Sequence, residues 1–265
     1  LATIDQLEVV FSAYRPDSEF NCLQSTREVP VAVSAELAYV LFQAEHYRAK
    51  SENRFLPISD SLRDDWADGS GVLPYLDPAP LWTVDLEKCT ATRHTDRRAS
   101  LNAIAKGYIV DQAAEAAMKV KGVESVVVNI GGEIRHLGAG GAEVAVQNPF
   151  DDAENAAPVS RVKLQSIGVA TSGGYRRGFS HEGRGWSHIF DPRLGRPDDR
   201  PGSTTVIAPT TMEADAIATV VGLMDPETAL EWVAGLNGVG IFVVTPDSRP
   251  TSNAVWKLYA ILSEP

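Results

Sequence analysis

The sequence predicts an α+β fold of mixed or antiparallel sheet layers with flanking helices. Strand-like and helix-like segments are intermixed without strict βα alternation. No repeat of about 20 to 50 residues recurs, which removes solenoids and propellers. The 265 residues, 44% of them hydrophobic, are enough for one large domain or two intimate halves with a substantial core.

The elements follow from periodicity and capping signals. Ile4, Leu7, Val10 and Phe11 recur at helical spacing, and Pro16 stops this helix after Tyr14, leaving RPDSEFN as a polar turn. Ser34 caps a second amphipathic helix over AELAYVLFQAEHYRAK, with basic residues in its last turn. Residues 50–80, rich in Ser, Asp, Pro and Gly, read as loops and short turns, and Trp82 to Leu86 as a strand. Tyr108, Val110, Ala113, Ala114, Ala117 and Met118 mark a helix from about 106 to 121 with Gly122 past its end. VESVVVNIGG then reads as a buried β-branched strand feeding a tight turn.

Further strands are expected at 143–147, 162–164, 167–170, 188–191, 204–208, 241–245 and 255–261. Between them, Thr210 and Glu213 form a capping-box pattern that opens a helix over TMEADAIATVVGLM. Asp225-Pro226 opens another that ends near Gly235.

Composition narrows the function. The 24 Lys and Arg against 35 Asp and Glu give a formal charge of -11, which offers no basic footprint for a nucleic-acid backbone. Any phosphate must be met locally, by a cation, a helix end or a few placed side chains. Cys22 and Cys89 are far apart and build neither a zinc site nor a disulfide scaffold, although one disulfide between them is open. No apolar run reaches the roughly 20 residues that span a bilayer. The opening LATIDQLEVVFSAY lacks the pattern of a signal peptide, and without an initiator Met it leaves an upstream export signal open.

Four segments concentrate glycine, hydroxyl and charged residues at element ends. In SLNAIAKGYIVDQAAE, Lys106 and Gly107 stand at a helix start suited to a phosphate, with Asp111 one turn on. The same pattern also suits an ordinary N-terminus with a solvated Lys and a dipole-compensating Asp. In VVVNIGGEIRHLG, Gly131-Gly132 gives a tight turn or close backbone approach. The later GAGGAE precedes a strand-like run rather than a helix, so it is no dinucleotide fingerprint, and no P-loop exists. In VATSGGYRRGFSHEGRGWSHIFDPRLGRP, Ser172-Gly173 follows a strand, Arg176 and Arg177 can clamp a diphosphate, and His188 is a candidate general base or a structural histidine. No nucleophile elbow is present, although Ser172, His188 and an Asp remain a set that folding can assemble. In TTMEADAIATVV, Asp215 and Thr219 stack on one helix face as hard oxygen ligands suited to Mg2+. That spacing equally fits one exposed Asp and a back-bonded Thr. Glu213 belongs to the cap rather than to a metal.

Six segments in order over roughly 210 residues make the chain resemble the ApbE-like FAD:protein FMN transferases: YRPDSEFNCLQ, IAKGYIVDQAAE, VVVNIGGEI, VATSGGYRRGF, WSHIFDPRLGRP and TTMEADAIAT. The resemblance implies a single domain over 1–265, with two intimate lobes and the FAD cleft between them. It implies an enzyme that binds FAD with Mg2+, moves FMN onto a threonine hydroxyl of an acceptor flavoprotein through a phosphoester bond, and releases AMP. A membrane redox complex subunit is the implied acceptor, and the outer side of the bacterial inner membrane the implied location. By family position, Asp215, Thr219 and the Ala105 carbonyl hold Mg2+. Lys106, Asp111, Ser172 and Gly173, with Arg176, line the FAD site, and Tyr14 stacks on a flavin ring. His188 is assigned nearest the acceptor hydroxyl.

The chain departs from the family at three places. It starts after the family's Met-Gly-Thr strand, Phe55-Leu56-Pro57-Ile58 stands for Phe-Asp-Pro-Thr, and Ser100-Leu101-Asn102-Ala103 stands for Asp-Leu-Gly-Gly. These changes bear on the FAD contacts of the N-terminal half. Three other activities stay open at this point: an FAD pyrophosphatase, a flavin-binding protein without turnover, and a hydrolase using Ser172 and His188.

Overall fold

A computed structural model of the chain describes residues 1–69, 74–151, 153, 156–174, 178–181, 184–200, 202–246 and 249–261. The chain divides into two compact units, Leu1–Ala105 with Phe190–Pro197, and Lys106–Ile189 with Asp198–Pro265. Among the described residues every strand pair is antiparallel, with helices flanking the sheets, as an α+β fold requires.

In the first unit, α1 (Ala2–Phe11) buries Leu7 and Phe11 and stops three residues short of the expected end. The expected polar turn holds a short helix, α2 (Glu19–Gln24), capped by Ser18 and anchored by buried Phe20 and Leu23. β1 (Pro30–Ala32) follows, and Ser34 accepts the Leu37 N–H at 3.1 Å to open α3 (Ala35–Lys50), as its sequence predicts. The stretch expected to be loops contains α4 (Ser59–Ala67), preceded by Phe55, Leu56 and Ile58, all buried. β2 (Trp82–Asp85) and β3 (Thr90–Arg93) complete a three-stranded sheet of order β1-β3-β2, which the Trp82 indole ties to the α3 carbonyl of Leu41 at 2.8 Å. The two cysteines are free thiols.

The second unit opens along α5 (Ala105–Met118), with Gly122 beyond its end at φ 89°. β4 (Ser125–Ile130) is alternately exposed and half-buried, because it forms the edge of a six-stranded sheet and not a buried strand as expected. Gly131 and Gly132, at φ 65° and 108°, turn the chain into β5 (Glu133–Gly138), a strand the sequence reading did not anticipate. β6 (Ala142–Val146) and β7 (Ser160–Leu164) form a hairpin, and β8 (Gly168–Gly173) returns to the sheet. A second hairpin, β9 (Gly178–His181) with β10 (Arg184–Ser187), leads to β11 (Phe190–Asp191) and β12 (Arg196–Pro197), which belong to the first unit.

The central strand, β13 (Ser203–Ala208), is buried throughout. Thr210 and Glu213 form the expected reciprocal capping box of α6 (Thr211–Gly222), and Asp225 accepts the Thr228 N–H at 2.9 Å to cap α7 (Pro226–Val233). β14 (Gly240–Val244) and β15 (Thr251–Ser252) finish the sheet, whose order is β15-β14-β13-β8-β5-β4. The last segment is a helix, α8 (Ala254–Tyr259), where a strand was expected. Asn253 decides this, because its Oδ1 takes both the Trp256 N–H, as a helix cap, and the Ile241 N–H of β14. Trp256 then stacks on Phe242 at a ring separation of 5.1 Å. No described helix is long and apolar enough to cross a membrane.

One face of the sheet packs Val169, Ile207, Phe242 and Val244 against the β6–β7 hairpin and Trp256. The other carries α6, and α5 crosses the start of α6 at Gly107, where there is no room for a side chain. A Cβ there would stand 2.5 Å from the Thr211 carbonyl oxygen and 2.7 Å from Met212 Cα. Gly107→Ala is therefore expected to destabilise the protein by about 1–3 kcal/mol, seen as a lower urea midpoint by far-UV circular dichroism. An unchanged midpoint would mean that the two helices do not meet there.

Candidate functional site

The close approach at Gly107 brings α5, α6 and β5 to one junction. Asp111, one turn along α5, accepts the Thr211 and Met212 N–H groups at 2.9 Å each, one on either carboxylate oxygen. Arg135 of β5 lies 3.5 Å from the same group and donates to the Pro209 carbonyl. A carboxylate satisfies the unpaired donors of a helix start and meets its positive dipole end. Burial raises the Asp111 pKa, against the pull of these hydrogen bonds and of Arg135. Both oxygens are thus taken within the protein. Asp111 fixes the start of α6.

Asp215 sits one turn into α6, buried, with its Oδ2 accepting the Gly107 N–H at 3.1 Å. Burial pushes its carboxyl up to about 8, and the neighbouring Glu133 carboxylate adds to the rise, while Lys106 and the Gly107 N–H oppose it. Glu133, itself buried, pairs with the Lys106 ammonium at 2.7 Å. Three carboxyl groups and two cations therefore converge here, one negative charge in excess when all are ionised. A buried carboxyl with that excess takes up a proton or a hard cation.

The remaining predicted residues are distributed as follows. Thr219, half-buried one turn beyond Asp215, donates its hydroxyl to the Asp215 carbonyl oxygen at 3.3 Å, so its proton is used and its lone pairs are not. Ser172 packs its Oγ against Gly222, 3.3 Å from where a Cβ would stand, at the far end of α6, and Gly173 closes β8 opposite Ser203. His188 is half-buried between β10 and β11. Glu213 completes the cap of α6, as expected. Asp191 spends its Oδ1 on the Arg193 and Leu194 N–H groups of its own turn. Arg176 and Arg177 lie outside the described residues.

Ala105 and Tyr14 belong to the first unit. Ala105 is buried at the head of α5, and Tyr14 is 78% exposed. Its turn is nevertheless rigidly tied: Ser18 donates to the Ser12 carbonyl at 2.6 Å, Asn21 to the Arg15 carbonyl at 2.6 Å, and Arg98 to the Ala13 carbonyl at 2.8 Å. Asn102, in one of the departing segments, donates to the Tyr14 hydroxyl at 3.4 Å. Tyr14 thus presents an exposed aromatic face on an ordered turn.

Sequence reasoning did not single out Glu133 and Arg135. The signal for them was their spacing: two charges at i and i+2 share one face of a strand, and the flanking Ile134 packs against the core on the other.

The fold and the proteins it matches define an enzyme, a transferase. The chain belongs to the ApbE family, whose match covers residues 1–243. A FAD:protein FMN transferase of Klebsiella pneumoniae is 32% identical over 272 residues, covering 94% of this chain and 76% of that protein. The FAD:protein FMN transferase of Haemophilus influenzae is 28% identical over 267 residues, covering 92% and 76%. Among solved structures, the ApbE protein from Thermotoga maritima shares the fold with a TM-score of 0.82 at 22% identity, covering 97% of this chain and 89% of that one. The flavin transferase ApbE from Vibrio cholerae gives 0.75 at 24%, with the same coverage.

The Asp215 carboxyl has a pH signature. A carboxyl whose pKa rises on folding from an ordinary 3.8 to about 8 binds its proton more tightly in the folded state, so without divalent cation stability falls as pH climbs through that window. Asp215→Asn is expected to remove a slope of up to about 1.4 kcal/mol per pH unit. Parallel urea titrations of both proteins from pH 5 to 8 measure it, and profiles of identical slope would place the raised pKa elsewhere.

Proposed function

We propose that the protein is an FAD:protein FMN transferase that uses Mg2+ to move the FMN half of FAD onto a threonine hydroxyl of an acceptor flavoprotein, releasing AMP. The observation that carries the reading is the buried Asp215 carboxyl, held by the Gly107 N–H beside Lys106, in a chain of -11 formal charge that must meet a diphosphate locally. The similarity to proteins of that name, over nine-tenths of the chain, supports it.

The donor set suits Mg2+. Asp215 lacks full counter-charge, and the Thr219 oxygen lies one turn along the same helix. Among the described residues no three His, Cys, Asp or Glu side chains gather as a cage. The proposed ligands are therefore few: the Asp215 carboxylate, the Thr219 hydroxyl and the Ala105 carbonyl. That leaves positions for water and diphosphate oxygens, as Mg2+ favours. When bound, the cation offsets charge on the diphosphate and on departing AMP.

The chain's own groups do the rest. Lys106 donates to the diphosphate, Ser172 and Gly173 bind at the end of β8, and Tyr14 stacks on the flavin. His188 accepts the threonine proton while the threonine oxygen bonds to the FMN phosphorus and the phosphorus–oxygen bond to AMP breaks. The departures at 55–58 fit this reading, because Phe55, Leu56 and Ile58 serve as core of the first unit. A membrane redox complex subunit as acceptor, on the outer side of the inner membrane, belongs to the same proposal.

The test incubates the protein with FAD and Mg2+, with and without a threonine-bearing flavoprotein, and follows AMP together with the acceptor's intact mass. Covalent FMN on the acceptor with matching AMP is expected. AMP without acceptor modification would identify a pyrophosphatase, and intact FAD in both tubes a flavin binder. Asp215→Ala should abolish metal-dependent turnover. His188→Ala should slow transfer by about 100-fold or more while leaving FAD affinity nearly unchanged, and equal loss of both would make His188 a binding residue.

A further inference from the structure

Glu133 is a buried carboxylate at the first residue of β5, beside the buried Asp215. A neutral side chain at that place would deprive a cationic partner of its counter-charge. The partner is Lys106. Its ammonium stands 2.7 Å from Glu133 Oε2, with the Glu133 side chain 6% exposed and that of Lys106 34% exposed.

The geometry around the pair is fixed from both sides. The Gly131-Gly132 turn reverses the chain so that the first residue of β5 is Glu133, opposite Ile130 of β4. A Cβ on Gly131 would stand 3.8 Å from Glu133 Oε2 and 4.0 Å from Lys106 Nζ, so the turn itself approaches the pair. On the other side, Gly107, next in the chain after Lys106, gives its N–H to Asp215. Lys106 is thereby held through its backbone by α6 and through its side chain by β5. The contact with Glu133 is an ion pair, and the part-exposed ammonium keeps N–H donors within reach of an anion.

We infer that Glu133 is a positioning residue that holds the Lys106 ammonium beside Asp215, so that Lys106 meets the diphosphate of a dinucleotide in a set direction. The inference rests on the proposed FAD reaction and adds a residue to it. Without Glu133, Lys106 regains the rotamer freedom of a long side chain and has to be ordered by each incoming ligand.

A double-mutant cycle tests this. FAD and riboflavin affinities are measured by fluorescence for the wild-type protein, Glu133→Gln, Lys106→Met and the double variant. FMN transfer to the acceptor is followed in parallel, and thermal unfolding checks that each variant folds. Each single change is expected to weaken FAD binding by about ten- to a hundredfold, the loss of one charge-assisted hydrogen bond, and the double variant no further. Riboflavin, which lacks the diphosphate, should bind all four alike. Glu133→Asp should recover part of the lost affinity, and it replaces Glu133→Gln if the latter does not fold. Wild-type FAD affinity in Glu133→Gln, additive losses in the double variant, or equal losses for riboflavin would each overturn the inference and leave the transferase reading standing. A wild-type protein that neither binds FAD nor transfers FMN would overturn both.

Discussion

The candidate site depends on one steric constraint, the backbone contact of α5 with the first turn of α6. That contact exists because residue 107 has no side chain, and it sets two hydrogen-bonding arrangements at once. The Gly107 N–H reaches Asp215 across the gap. Asp111, one turn further, reaches back to the Thr211 and Met212 N–H groups. Each helix thus supplies a carboxylate to the other, and the pair is locked in rotation as well as in distance. The IAKGYIVD segment is in these terms a packing motif, and the packing leaves Lys106 beside Asp215.

A second theme is the division of labour among buried acids. Asp111 is satisfied inside the protein by two N–H groups and Arg135, and Glu133 is paired with Lys106. Asp215 alone of the three combines near-complete burial with a single hydrogen bond from the backbone and a strongly raised pKa. Displacing the partners of the other two would leave buried donors unmet, which sets Asp215 apart from them.

Much of this was legible beforehand where local chemistry decides. The caps at Ser34, Thr210 and Asp225 were readable because a side-chain acceptor three residues before a backbone donor is a sequence-local arrangement. The short helices α2 and α4 were not, since six to nine residues carry too few turns for a period to stand out. At α8, a β-branched and aromatic run suggested a strand, and the tertiary bond from Asn253 to Ile241 settled it otherwise. Asp215, Lys106 and Thr219 were visible as residues, whereas the Glu133–Lys106 pair joins positions 27 apart through a glycine turn and cannot be seen from spacing. The same distance in sequence hid the internal use of Asp111, which bonds residues a hundred positions away.

The route of the chain through β11 and β12 carries a consequence for synthesis. This two-stranded ribbon closes the first unit: Phe190 is buried there, the Tyr75 N–H donates to the Pro192 carbonyl at 2.7 Å, and Arg193 pairs with Glu52 at 2.9 Å. Yet it leaves the ribosome only after three of the six strands of the second unit's sheet, and the central strand β13 follows it. A nascent chain therefore passes residue 189 with neither unit complete, and the first becomes whole while the second still lacks half of its six-stranded sheet (β13, β14 and β15) and three helices. Maturation of the two units is in this way entwined by topology, and an organism cannot separate them by a single cut in the gene.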